Sequence, residues 1–326
     1  VIQHPRKTRR ERGPQPSEGE MLEVFNTAPV QELLDRLSGL PDPGGDPRLK
    51  AILRRIVGDL FATIDAFDVN ENEFWTALNF LAAGAPELGL WAAGLGFERY
   101  LDIRMDVADA ASGIAGGTPR TIEGPLYVAG APVEQGFGRL DDGTDKGEVL
   151  VMHGHVCDVD GKPLEGALVE VWHANTLGNY SYFDKSQSAF NLRRAIKTGR
   201  HGDYSFRSIV PSGYGCPPGG STERLLHAIG RHGQRPAHIH FFISAPKYRH
   251  LTTQINIEGD PYLHDDFAYA TRDGLIPTVK HHKGGEIGKR YRVEGPFAEI
   301  EFDFVLHPAL SPEELVASSR ARAVAT

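Results

Sequence analysis

Cysteine is scarce in this sequence: Cys157 and Cys216 are the only two among 326 residues. Two thiols cannot build a disulfide framework, so a reducing cytoplasm is the expected compartment. Each reads as a small buried hydrophobe. Basic charge is also in deficit. The 35 Lys and Arg against 43 Asp and Glu leave a formal net charge of -8. That argues against nucleic acid as a partner, because phosphate binding needs a basic face. No apolar run comes near the ~20 residues that span a bilayer, so no membrane insertion is expected. Residues 1–12 are basic and polar and hold no hydrophobic segment, so they are not read as a secretory signal. No GxGxxG or P-loop pattern falls on a strand–helix turn, and no HExxH is present. The sequence therefore calls for neither an organic nucleotide cofactor nor a zinc-hydrolase helix.

What is present is an ordinary globular balance, 40% apolar and 24% charged, in a chain long enough for two units. Residues 1–20 are rich in charge, Pro and Gly and read as a flexible tail. Residues 21–115 carry helical patterning. Thr27 stands where it can cap a helix with Pro29 in its first turn and Leu33, Leu34 and Leu37 on one face. Asp46-Pro47 opens a second helix, along which Leu49, Ile52, Leu53, Ile56, Val57, Leu60, Phe61 and Ile64 form a wide apolar stripe. Asn70 with Glu73 resembles a capping box ahead of Phe74, Leu78 and Leu81, and a fourth helical segment covers Phe97 to Ala111. From residue 116 to 310 the pattern becomes short apolar runs punctuated by Gly and Pro. Val149 to Val156, Ala167 to Trp172, Tyr204 to Ile209, His238 to Ile243, Thr252 to Ile257 and Ala298 to Leu306 read as strands. The expected class is α+β: an N-terminal helical domain, then an antiparallel β-sandwich or barrel. Ser311-Pro312-Glu313-Glu314 is a further capping signal. It predicts a short C-terminal helix over 311–326 that packs back on the N-terminal helices.

Two histidine pairs stand on predicted strands, His153-Gly154-His155 and His238-Ile239-His240. Alternate strand residues point to one face, so either pair could present two imidazoles to one metal ion. Spacing alone does not separate them. The second pair carries more weight because a dense polar run, Arg231 to Arg235, and Pro236 precede it. Neither has the following glutamate of a cupin. Further ligands must come from elsewhere, and Tyr180 and Tyr214 are candidates, because glycines flank both and let the chain aim a phenol.

Several longer runs are more specific. They are Thr118 to Tyr127, Val169-Glu170-Val171-Trp172-His173-Ala174-Asn175, Phe206-Arg207-Ser208-Ile209, Gly213-Tyr214-Gly215-Cys216-Pro217-Pro218, Arg231 to Phe242, and Leu251-Thr252-Thr253-Gln254-Ile255-Asn256. In that order they resemble the intradiol ring-cleaving dioxygenases, and within them the branch that acts on catechol, over nearly the whole chain outside the tail. The resemblance implies one Fe(3+) per chain on Tyr180, Tyr214, His238 and His240. It implies opening of catechol by O2 to cis,cis-muconate in aromatic degradation. It gives Tyr214 a second role as acceptor of a catechol proton, and it places Arg235 and Gln254 beside the substrate. It lines the pocket with Leu90, Ile122, Gly124, Pro125, Leu126, Cys216, Phe267 and Ala268. It also implies a homodimer through the helical domain, with a phospholipid at the dimer interface. A relative acting on hydroxyquinol or chlorocatechol is the alternative within the family. A catalytically silent β-sandwich that binds a small aromatic is the alternative outside it.

Overall fold

The structure, a computed structural model, describes residues 24–316 and 322–324. The expected tail, residues 1–20, and part of the expected C-terminal helix lie outside them. The chain divides into two compact units, one ending at Ala83 and one beginning at Gly84.

The first unit holds α1 (Ala28–Leu37), α2 (Pro47–Ala66) and most of α3 (Glu71–Gly84). Asp46 caps α2 by accepting from the backbone N–H groups of Arg48 and Leu49, with Pro47 in the first turn. Asn70 and Glu73 form the reciprocal capping box of α3: each side chain accepts from the other's backbone N–H at 3.1 Å. Thr27 occupies the N-cap position of α1, but its hydroxyl turns back to the Val24 carbonyl instead of capping. Arg54 ties α2 to α1 through Asp35 at 2.6 Å. Much of the predicted apolar stripe stays in solvent: Leu49, Ile52, Leu53, Ile56 and Leu60 on α2, and Phe74, Trp75, Leu78 and Leu81 on α3 are exposed.

The second unit begins well before residue 116, where the sequence changes character. Helices α4 (Leu88–Gly94) and α5 (Phe97–Ala111) belong with the strands. Long-range polar contacts explain this. Arg272 pairs with Asp102 at 2.9 Å, Arg249 with Asp109 at 2.8 Å, and Arg231 donates to the Gly94 carbonyl at 2.7 Å. The stretch Glu71–Ala111 is long and apolar enough to cross a membrane by length and composition, which the sequence reading did not anticipate. It is not one helix: a 3-10 turn at Ala85–Glu87 and left-handed Gly96 interrupt it.

Two larger sheets carry most of the remaining strands. The five-stranded sheet runs β11 (Leu251–Asn256), β10 (His238–Ser244), β5 (Leu168–His173), β6 (Arg193–Lys197) and β2 (Val133–Gln135). The six-stranded sheet runs β12 (Lys280–His282), β13 (Phe297–Glu301), β4 (Val149–Asp158), β7 (Asp203–Ile209) and β3 (Phe137–Arg139), with β14 (Phe304–Leu306) also on β4. Leu150, Met152, Phe206 and Ile300 of one sheet pack with Val169, Val171, Ile239, Phe241 and Ile255 of the other in a single core. The sheets are mixed, not wholly antiparallel as the sequence suggested. The central pairs β10–β11, β10–β5 and β4–β7 are antiparallel, while β13, β14, β2 and β3 add in parallel. Short strands that return from long excursions are free to pair either way.

Among the described residues the C-terminal signal opens a 3-10 turn, Pro312–Leu315. Ser311 makes no side-chain cap. Glu314 serves a tertiary purpose instead, accepting from Arg249 at 3.1 Å and from the Leu310 backbone at 2.6 Å. Farther on, β15 (Ala323–Val324) pairs in parallel with β1 (Val128–Ala129).

Candidate metal centre

The alternation of β10 sorts its side chains. Ile239, Phe241 and Ile243 enter the core, so His238, His240 and Phe242 face the other way. That outer face is itself buried, because loops and Trp172 cover it: both imidazoles are 1% exposed. Strand register places His240 opposite Gln254 of β11 and Trp172 of β5, and Trp172 opposite Arg193 of β6. One row across four strands thus carries a glutamine, a histidine, an indole and an arginine. The indole stacks on the His240 ring, centroids 5.0 Å apart and planes 4° from parallel.

His238 Nδ1 donates to the Pro236 carbonyl at 2.6 Å. That bond fixes the tautomer and leaves Nε2 with a bare lone pair. Nε2 of His238 lies 3.0 Å from Nε2 of His240 and 3.4 Å from the Tyr180 hydroxyl. The Tyr180 hydroxyl lies 3.5 Å from that of Tyr214. Four donor atoms from three loops and strands therefore converge on one point. Burial holds His238 far below the ordinary imidazole value, to about 3, and pushes His240 the same way. Both rings are neutral bases at working pH. Burial pushes the Tyr180 phenol upward, with Tyr214 adding to the effect, so a phenolate there needs a strong nearby cation.

The donors fit a mononuclear ferric ion. Among the described residues no three His, Cys, Asp or Glu side chains converge on a metal position. Any ion at this point must therefore be held partly by the tyrosines. Two phenol oxygens and two imidazole nitrogens suit a trivalent ion that can ionise the phenols.

Arg235 borders the same point. Its backbone pairs with Tyr214 across two short strands, β8 (Tyr214–Gly215) and β9 (Gln234–Arg235). Nη1 lies 3.0 Å from His238 Nε2 and 3.5 Å from the Tyr214 hydroxyl, and Nη2 donates to Gln254 Oε1 at 2.9 Å. Asp266, which the sequence reading missed, pairs with this guanidinium at 3.1 Å. Burial opposes the arginine's charge, but Asp266 outweighs it and keeps the guanidinium above its ordinary value. Asp266 in turn accepts from the Ala268 and Ala270 backbones. Burial would raise its carboxyl, but Arg235 holds it low. No local pattern marked this residue. Only its arginine partner, distant in sequence, reveals it.

The expected pocket residues come together in two groups. Leu90, Ile122, Cys216, Phe267 and Ala268 share one apolar cluster with Ala93. Leu126 packs instead with Trp172, Tyr180 and Tyr214 at the donor cluster. Between them, Gly124 adopts φ +69 and lies against His240, where a Cβ would meet the ring at 3.7 Å. Pro125 lies against Gly89 of α4 so closely that a side chain there would clash.

Comparison with known proteins agrees with this architecture. A family model described as Dioxygenase matches residues 122–308, and one described as Catechol dioxygenase N terminus matches residues 46–113. Catechol 1,2-dioxygenase 2 of Acinetobacter lwoffii is 65% identical over 258 residues, 78% of this chain and 94% of its own. The solved structure of catechol 1,2-dioxygenase from Acinetobacter sp. ADP1, inhibited by bound mercury, superposes with a TM-score of 0.90. It is 51% identical and covers 93% of this chain and 100% of its own. A hydroxyquinol 1,2-dioxygenase of Rhizobium sp. is more distant, 33% identical over 267 residues, 80% of this chain and 90% of its own.

Proposed function

The chain belongs to the intradiol ring-cleaving dioxygenase family, and from that premise we propose its reaction and the residues that perform it. It acts on catechol, adds both atoms of O2 and opens the ring between the two hydroxyl-bearing carbons, giving cis,cis-muconate. The observation that carries this reading is the convergence of Tyr180, Tyr214, His238 and His240 on one buried point. An Fe(III) ion held there would draw electron density from a bound catecholate and make its ring reactive towards O2. No reductant or organic cofactor is then required.

The protein's own groups divide the remaining work. The apolar cluster of Leu90, Ile122, Cys216, Phe267 and Ala268 receives the ring, while Gly124, Pro125 and Leu126 bound it on the side of His240. Tyr214 is less buried than Tyr180 and stands on a two-residue strand. It takes one catechol proton at its phenol oxygen. Arg235, held by Asp266 and Gln254, presents a permanent planar cation where charge develops on the ring. Because its partners fix the guanidinium in advance, little reorganisation accompanies the charge.

The relative that acts on hydroxyquinol shares about half the identity of the one that acts on catechol, which supports catechol as the substrate. A silent binding domain would have no use for a complete donor set. Exposed apolar side chains along α2 and α3 support a homodimer built on these helices, with a phospholipid as a further occupant of that interface. Two free cysteines support a reducing cytoplasm. The test of the reaction is incubation of iron-loaded protein with catechol and identification of the product. Muconate is the expected result. Product only from hydroxyquinol would move the assignment to that substrate.

A further inference from the structure

One buried charge near the donor cluster takes no part in the reaction described above. Arg193 stands on β6 beside Trp172 and is 1% exposed. Its Nε donates to the Ser181 hydroxyl at 3.0 Å and its Nη2 to the Ser181 carbonyl at 3.0 Å. Its Nη1 has no hydrogen-bond partner. Among the described residues no carboxylate pairs with it, in contrast to Arg235 and its Asp266. A buried cation without an anion is costly, and proteins pair such charges. The Tyr180 phenol offers a place for that anion to form. The Arg193 guanidinium lies over the Tyr180 ring, its central carbon 5.8 Å from the centroid, and Tyr180 is the residue before Ser181. A neutral phenol attracts that cation only weakly. A phenolate attracts it as one charge attracts another.

We propose that Arg193 is the countercharge of an ionised Tyr180: a positioning residue that anchors this ligand's backbone through Ser181 and tempers the donor strength of its phenolate. The proposal rests on the iron-site reading. Its consequence is spectroscopic. A phenolate bound to Fe(III) absorbs visible light as an electron moves from ring to metal. A cation over the ring opposes that movement, so removing the cation moves the band to longer wavelength. At this separation in a partly screened interior the shift is on the order of tens of nanometres.

The experiment compares the visible spectra of iron-loaded protein in three forms: unmutated, Arg193→Gln and Arg193→Lys. Glutamine keeps an N–H donor for Ser181 and loses the charge. Lysine keeps the charge and loses the planar fork. The proposal expects a longer-wavelength band in Arg193→Gln and an almost unmoved band in Arg193→Lys. An unmoved band in iron-replete Arg193→Gln overturns it. Equal displacement in both variants also overturns it, because it assigns Arg193 a purely structural anchoring role. If Arg193→Gln does not fold, the lysine variant still decides, since a displaced band in a protein that keeps the charge contradicts the proposal. A colourless unmutated protein that binds no iron would instead mean failure of the iron reading, and that is seen before any variant is made.

Discussion

Two histidine pairs of identical spacing lie on long strands of this protein, and they have opposite fates. His238 and His240 stand on β10, wholly buried, with their Nε2 atoms 3.0 Å apart, and among the described residues no carboxylate hydrogen-bonds either ring. His153 and His155 stand on β4, partly in solvent. His153 is held by Glu299 at 2.9 Å, and His155 by Asp303 at 3.2 Å. Each imidazole of the second pair therefore has its own carboxylate, and its lone pair is not offered to a shared point. Strand spacing sets direction only. On the proposed reading, what turns direction into a metal site is burial, a tautomer fixed by the Pro236 carbonyl, and two phenols arriving from loops.

The sharpest way to break this comparison is to remove ligands from each pair in turn. His238→Ala and Tyr180→Phe should abolish stoichiometric iron, visible colour and turnover together, whereas His153→Ala should keep all three. Metal analysis with the absorption spectrum checks this, and iron retained at about one per chain in His238→Ala would overturn the assignment.

A smaller effect is expected where a residue borders the centre without being a ligand. Arg235→Leu should retain iron and colour and still bind catechol, but its turnover should fall by ~10²–10³-fold, the scale seen when one preorganised electrostatic donor is lost. Arg235→Lys should recover part of that rate, because the charge returns without the fork. Loss of iron from Arg235→Leu would instead make this residue a structural support.

Acid should sharpen the contrast between buried and exposed imidazoles further. His173, behind the donor cluster, donates from Nδ1 to the Ala174 carbonyl at 2.7 Å and accepts at Nε2 from the Ser208 hydroxyl at 2.7 Å. Burial lowers it from 6.5 to about 4. Its folded value lies below its unfolded one, so the unfolded chain binds the extra proton first. Stability is then full above about pH 6.5 and is lost as pH falls towards 4, by roughly 3 kcal/mol from this residue. Denaturant unfolding of iron-free protein across that range measures the slope, and His173→Gln should flatten it. The exposed member of the other pair should matter least: His155→Ala should change stability by less than about 0.5 kcal/mol in the same assay.

Much of this was legible in the sequence, for physical reasons that differ by residue. Helices α2 and α3 announce themselves through Asp46-Pro47 and the Asn70–Glu73 box, because caps are local chemistry. The strand bearing His238 and His240 follows from its apolar run. Tyr180 and Tyr214 could not be told from packed aromatics by spacing, and only the resemblance of longer motifs to a known family singled them out. Asp266 and Arg193 were invisible because each acts through a partner distant in sequence. The compact units divide at residues 83 and 84, ahead of the change in sequence character, because the ion pairs of Asp102 and Asp109 with Arg272 and Arg249 tie α5 to loops of the second unit. At the C-terminus, among the described residues, the local capping signal opens a 3-10 turn in which Glu314 answers the distant Arg249.

The central claim is ring opening between the hydroxyl-bearing carbons by a phenolate-bound ferric centre, and the identity of the product formed from catechol tests it most directly. Purified iron-loaded protein given catechol and O2 should produce an ultraviolet-absorbing compound identified as cis,cis-muconate, with both oxygen atoms of labelled O2 in the product. A yellow semialdehyde, formed by cleavage outside the two hydroxyls, would contradict the account.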